Sequence, residues 1–234
     1  ANNELSGPMV AICLINYFKK IKNQKSIRFI FIPETIGSIA YISKNYHNLK
    51  KNVYGGYNLS CIGDERTHSC MFSKFETSAS DESLIEAYKK LKIKNKVHSF
   101  LLRGSDERQY NSPGVDLPIA SIFRTRYGDY PEYHTSLDDF NLVTIKGVKG
   151  GFNVAKQAIK NLQSKIVPFP MIYCEPQLGK RGLYPSVSDK KLDNFSRNIV
   201  NILMYSNGKD SLEKISKIIR LPYNEAKKLY KILI

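Results

Sequence analysis

The feature that most constrains this chain is a change of rhythm near residue 165. Before it, strand-like and helix-like runs alternate. After a Pro/Gly-rich stretch, three helical segments follow one another with no strand between them. Residues 7–22 carry Met9, Ile12, Ile15 and Phe18 at helical spacing, with Ser6 as a candidate N-cap and Pro8 in the first turn. Residues 27–32, Ile-Arg-Phe-Ile-Phe-Ile, are a β-branched and aromatic run that predicts a buried strand, ended by Pro33. A short helix is expected over Thr35–Lys44, and strands over Tyr57–Ile62, His68–Phe75 and Leu117–Phe123. Asp81–Lys92 and Gly151–Leu162 read as helices, the former capped by Ser80 or Asp81. Residues 103–118 and 128–139 read as polar loops.

The alternation predicts an α/β layered domain over residues 1–165. Residues 166–188, with Pro168, Pro170, Pro176, Pro185, Gly179 and Gly182, form a connector. Residues 189–234 then carry helices at Leu192–Tyr205, Leu212–Ile219 and Asn224–Leu233, a small all-α helix-turn-helix or winged-helix-like domain.

Composition narrows the classes further. Hydrophobic residues are 42% of 234, enough for a core and too many for a disordered chain. No apolar run reaches the length of a membrane span, and no signal peptide is visible at Ala1–Glu4. Cys13, Cys61, Cys70 and Cys174 lie far apart, without the close spacing of a zinc knuckle. A cytoplasmic protein with no membrane partner is expected. The net charge of +15 comes from lysines scattered singly and in pairs, so solvated lysines account for it better than a nucleic-acid groove. From Asp189 onward, ten basic residues face five acidic ones. Nucleic acid is the less favoured partner there, and docking against protein the favoured one.

Three segments could carry chemistry: Asn3-Glu4-Leu5-Ser6-Gly7 before the first helix, Pro33-Glu34-Thr35-Ile36-Gly37-Ser38 after the first expected strand, and Tyr133-His134-Thr135-Ser136-Leu137-Asp138 in a loop. Ligands of open α/β sheets bind beyond the carboxyl ends of the strands. A Glu and a His converging there could serve as general base and metal ligand. Each also has a plain alternative: Glu34 as a helix-start carboxylate, His134 as a loop histidine bonded to backbone. His47, His68 and His98 have no partners at metal-ligand spacing. Tyr110, Tyr127, Tyr130 and Tyr133 share the loops with Arg103, Arg108, Arg124 and Arg126, which could hold a ligand's anion or simply pair with nearby acids.

These segments together resemble the aminopeptidase-like zinc exopeptidases. The closer resemblance is to a bacterial branch that ends in a winged-helix domain and accompanies polysaccharide-biosynthesis genes. Asn3–Gly7 is similar to that family's Asp-Asn-x-Ser-Gly element, and Phe31–Ser38 to Glu-Glu-x-Gly. Gly104–Tyr110 with Ser112–Pro118 is similar to Ser-Asp-His…Gly-Ile-Pro, and Glu132–Asp138 to His-Thr-x-x-Asp. The resemblance implies a mixed sheet flanked by helices, lacking its early strands, and a chain that is the C-terminal part of a longer protein. It places His134 at a zinc-binding position and Glu34 at that of the general base, or of a ligand if the alignment slips by one. Asn3 falls at the bridging carboxylate, and Thr35 and Ser60 at two further ligand positions. Glu107 stands for a histidine. Asp64, Asp106, Glu107, Arg108 and Asp138 are expected to line the pocket or to support the ligands.

Asn, Thr and Ser bring none of the negative charge that a two-zinc centre needs. One zinc, on His134, the Asn3 oxygen and a histidine upstream of this chain, is the expected cofactor. The implied function is a zinc-dependent hydrolase of an amide or peptide bond, in cell-surface polysaccharide biosynthesis, acting on a peptide or an amide-bearing small molecule. The alternative is an inactive aminopeptidase-like protein that binds a ligand or partner. A homo-oligomer is left open.

Overall fold

The computed structural model describes residues 1–183 and 193–234. The expected connector proline Pro185, the charged residues Asp189, Lys190 and Lys191, and the helix start at Leu192 lie outside the described residues. The chain divides into two compact units, Ala1–Ser164 and Lys165–Ile234.

The first unit holds a four-stranded mixed sheet of β1 (Gly56–Leu59), β2 (Ser69–Met71), β3 (Lys96–His98) and β4 (Ile119–Phe123), in the order β1-β4-β2-β3. β1 runs parallel to β4, β2 antiparallel to β4, and β3 parallel to β2. β4 sits between two neighbours, which is why Ala120–Phe123 is buried throughout. Alternate side chains go to opposite faces. Ala120, Ile122 and Cys70 meet α1 (Ser6–Phe18), α3 (Ala79–Leu91) and α5 (Ile145–Ser164) through Val10, Leu14, Leu84, Tyr88, Val154 and Ala158. Phe123 and Met71 go the other way and cluster with Cys61, Tyr127 and Tyr130. Each fully buried Leu, Ile or Val of this core contributes about 2 kcal/mol.

α2 (Ile36–Asn52) packs Ile42 and Leu49 on Leu117, ahead of the one-turn helix α4 (Glu107–Tyr110). α5 comes so close to the loop after β1 that a Cβ at Gly147 would fall 1.9 Å from the carbonyl oxygen of Gly63. Only glycine allows that approach.

The second unit packs α6 (Asp193–Tyr205), α7 (Leu212–Ile218) and α8 (Tyr223–Ile232) around Ile202, Leu212 and Ala226. Ser211 caps α7 by accepting the Lys214 amide at 3.1 Å.

Several expectations need correction. Residues 27–32 form no strand, because among the described residues no backbone hydrogen bond joins them to another segment. Propensity describes how a residue suits a sheet, and a strand also needs a partner. The long loop over 103–118 contains α4, and α5 starts six residues before Gly151. The cap of α3 is Ser78. Asp81 completes a capping box there as the third residue, so it is not itself the cap.

Candidate functional site

The chain after β1 turns sharply at Cys61, a non-glycine residue with φ 46°. Its buried thiol lies 3.6 Å from Asn3 Oδ1 and 3.5 Å from the Tyr130 hydroxyl. Burial pushes that thiol up to about 11, so it is neutral at pH 7. Tyr130 approaches Asp138 at 3.5 Å, and Asp138 accepts the backbone amides of Asn2 at 2.5 Å and Asn3 at 3.0 Å. Burial alone would raise the Asp138 carboxyl, but these amides bring it below its ordinary range.

Two more carboxylates hold the surrounding loops. Asp64 is fully buried. It accepts the Asn2 side chain at 3.1 Å, the Thr125 amide at 2.9 Å, the Thr125 hydroxyl at 2.6 Å and the Arg66 amide at 2.9 Å. Glu107, also fully buried, accepts the amides of Gly104 and Ser105 at 2.8 and 2.9 Å and the Tyr127 hydroxyl at 2.7 Å. Asn58 at 3.3 Å and Ser121 at 3.2 Å complete its shell.

Next to Glu107, Asp106 reaches across to the start of α2. It accepts the Thr35 amide at 2.7 Å and the Ser38 hydroxyl at 2.8 Å, while Arg108 donates to Thr35 Oγ1 at 2.6 Å. These contacts hold Thr35 at φ 60°, ψ −70°, with the Ile36 amide donating to the Glu34 carbonyl at 2.7 Å. That is a γ-turn of the rarer, strained hand. It leaves the Glu34 side chain exposed at the corner.

His134 has φ 58° and stacks its exposed ring on Tyr133, 3.9 Å between centroids. Burial raises the Tyr133 hydroxyl, and the proximity of Cys61, Glu34 and Glu4 raises it further. Tyr133 thus packs beside the Cys61 cluster and stacks with His134, within the electrostatic reach of Glu4 and Glu34. Thr35, Cys61 and His134 are all non-glycine residues at positive φ, and strain of this kind gathers at functional sites.

Zinc can be tested against these donors. Asn3 Oδ1 faces the Cys61 thiol, and Asn3 Nδ2 donates to Glu4 at 2.6 Å. Thr35 Oγ1 is taken by Arg108, Ser60 faces the Cys61 sulfur at 3.6 Å, and Asp64 and Asp138 are held by backbone and side-chain donors. Among the described residues no group of three or more His, Cys, Asp or Glu could hold a metal ion. A dication needs at least three donors with compensating charge. Glu34 and His134 by themselves do not meet that need, so the residues present do not fit a zinc centre.

The remaining histidines stand apart. His68 contacts Arg124, and its ring is held down to about 4 by burial first and then by that guanidinium. His98 faces Asp129 at 3.8 Å, and His47 meets Tyr46 edge-on. Sequence reasoning did not single out Asn2, and it named Ser38 only as the last residue of its motif segment. Asn2 accepts the Gly63 amide at 2.8 Å and is fully buried, so its role depends on partners sixty residues away. In the second unit, Lys217, Arg220, Lys227, Lys228 and Lys231 are exposed on α7, α8 and the turn between them. No described helix is long and apolar enough to cross a membrane.

A mixed sheet with helices on both faces, and loops converging beyond the end of β1, defines an aminopeptidase-like domain, here followed by a winged-helix module. The chain belongs to the family described as a domain of unknown function, DUF4910, which matches residues 1–165, and a winged helix-turn-helix family matches residues 168–234. A Clostridium acetobutylicum protein is 34% identical over 219 residues, covering 92% of this chain and 50% of its own length. Its provisional name describes a polysaccharide biosynthesis protein with an aminopeptidase-like domain. A crystal structure of a C. acetobutylicum protein provisionally named a peptidase superposes with TM-score 0.69 at 31% identity, covering 100% of this chain and 52% of that one. The zinc aminopeptidase of Bacillus subtilis shares the fold, with TM-score 0.59 at 19% identity over 68% of this chain and 41% of that one. The chain spans about half the length of the curated relative it matches.

Proposed function

We propose that the Ala1–Ser164 unit binds an amide- or amine-bearing small molecule at the rim around Tyr133, and that its own residues form no zinc centre. One observation carries this reading: the neutral side chains at the ligand positions, Asn3, Thr35 and Ser60, are each engaged by protein partners, while Glu34 and His134 face solvent. Two exposed carboxylates, Glu4 and Glu34, suit an ammonium group. The relative's name, with its reference to polysaccharide biosynthesis, makes an amino sugar a natural member of that class.

The test is zinc content after dialysis against zinc, paired with calorimetric titration of alanine amide and glucosamine. The expected result is zinc far below one per chain, unaltered by His134→Ala, and amine binding that is lost in Glu34→Gln. Near-stoichiometric zinc that falls in His134→Ala, together with cleavage of an alanine anilide, would overturn it. That outcome would establish the second reading, a zinc-dependent amide hydrolase. The free carboxylate of Glu34 and the imidazole of His134 on one rim favour that reading.

A further inference from the structure

The charges of α8 gather on one side of the helix. At about 100° per residue, Asn224, Lys228 and Lys231 fall within about 60° of one another, opposite the buried Ala226. Lys227 flanks this stripe on one side, and Glu225 and Ile232 lie on the other. Just before α8, the turn holds Arg220 at φ 55°, a left-handed position that closes α7 and usually belongs to glycine. Lys217 is exposed in the last turn of α7. Among the described residues these five cations form no ion pair. Two acids of the same unit are engaged elsewhere, Asp210 with Lys214 at 2.7 Å and Glu213 with Lys165 at 3.2 Å.

We propose that α7, the turn and α8 form a site for duplex DNA, with the Asn224–Lys228–Lys231 stripe in the major groove. From Asn224 to Lys231 the stripe is about 10 Å long, at about 1.5 Å per residue. The groove, about 12 Å wide, admits such a helix. Lys217, Arg220 and Lys227 then meet phosphates beside it, and Asn224 carries the donor and acceptor that match an adenine edge. The scatter of lysines along the sequence favours a protein partner, but their placement on the folded module reverses that preference. The centre of a protein interface is apolar and aromatic and poor in lysine, whereas this stripe is polar throughout. A single strand needs aromatic rings on which its bases stack, and the two tyrosines of α8, Tyr223 and Tyr230, pack against the core. The inference does not depend on the reading of the rim.

The test is fluorescence anisotropy of a labelled mixed-sequence duplex of about 20 base pairs, titrated with the full chain. Binding should weaken roughly a hundredfold from about 50 to about 200 mM KCl, as expected for about four phosphate contacts. A Lys228→Glu, Lys231→Glu double variant should bind at least about tenfold more weakly at the lower salt, with an unchanged melting temperature. Lys89→Glu with Lys90→Glu makes the same change of charge on exposed lysines of α3 and should leave binding within about twofold. Four results would overturn the inference. They are no binding at tens of micromolar chain in about 50 mM KCl, an equal loss in the α3 variant, binding to single strands as tight as to the duplex, and displacement of the duplex by an equal charge of polyglutamate. The last would mark the face as a site for acidic protein.

Discussion

The carboxylates beneath the rim and those on it are built in opposite ways. Asp64 and Glu107 are fully buried and surrounded by donors from segments far apart in the chain. Glu4 and Glu34 stand in solvent. A buried acid with every lone pair satisfied fixes loops and has nothing left for a ligand. An exposed acid on a strained corner has the opposite character: it contributes little to stability and is available for contact. The difference separates residues that build the site from those that would use it, although Glu4, Glu34 and Glu107 all belong to the motif segments.

The largest effect should come from Glu107→Ala. Five donors lose their acceptor in the interior, and unfolding by urea should show a loss of about 4 kcal/mol. A loss under about 1 kcal/mol would mean that water replaces the carboxylate, and the contrast would fail. Asp64→Ala should cost about 3 kcal/mol by the same measurement, because four donors are orphaned.

A smaller effect concerns pH. The folded-state value of His68, about 4, lies below its ordinary 6.5. The unfolded chain therefore binds a proton in that interval and the folded chain does not. Stability should decline as pH falls from 6.5 to about 4, by about 1–2 kcal/mol once solvent screening of the half-buried ring is allowed for. His68→Gln should flatten that slope.

On the rim the sign reverses. His134→Gly removes the cost of a positive φ and should raise stability by about 1 kcal/mol while weakening amine binding. Glu34→Gln should change the unfolding free energy in urea least, by less than about 0.5 kcal/mol, and still abolish binding. Lower stability in both rim variants, with unchanged binding, would place these residues with the scaffold.

Much of the architecture was legible in the sequence. The apolar periodicity of 81–92 and of the three C-terminal helices marked real elements because each helix makes its own hydrogen bonds, so local pattern suffices. Ile27–Ile32 misled for the converse reason, since its ladder depends on other backbone. The first motif segment does meet Asp138, and Thr35 meets Asp106, but the partners of Glu107 could not be read in advance. They come from positions 58, 104, 105, 121 and 127, and only the folded sheet brings them to one point. The engagement of Asn3 and Thr35 with Cys61 and Arg108 was hidden in the same way.

The tight corner at Thr35 also sets the phase of the helix that follows it. α2 begins at the next residue, and Ile42 and Leu49 reach Leu117 only if the helix starts at that angle. With 3.6 residues per turn, a residue inserted at this corner and taken up into the first turn of α2 would rotate the rest of the helix by about 100° and carry both side chains away from the core. Side chains at this corner are therefore free to change over evolution in a way that its length is not. Any descendant that alters what the rim recognises has to do so by substitution there, without adding or deleting a residue.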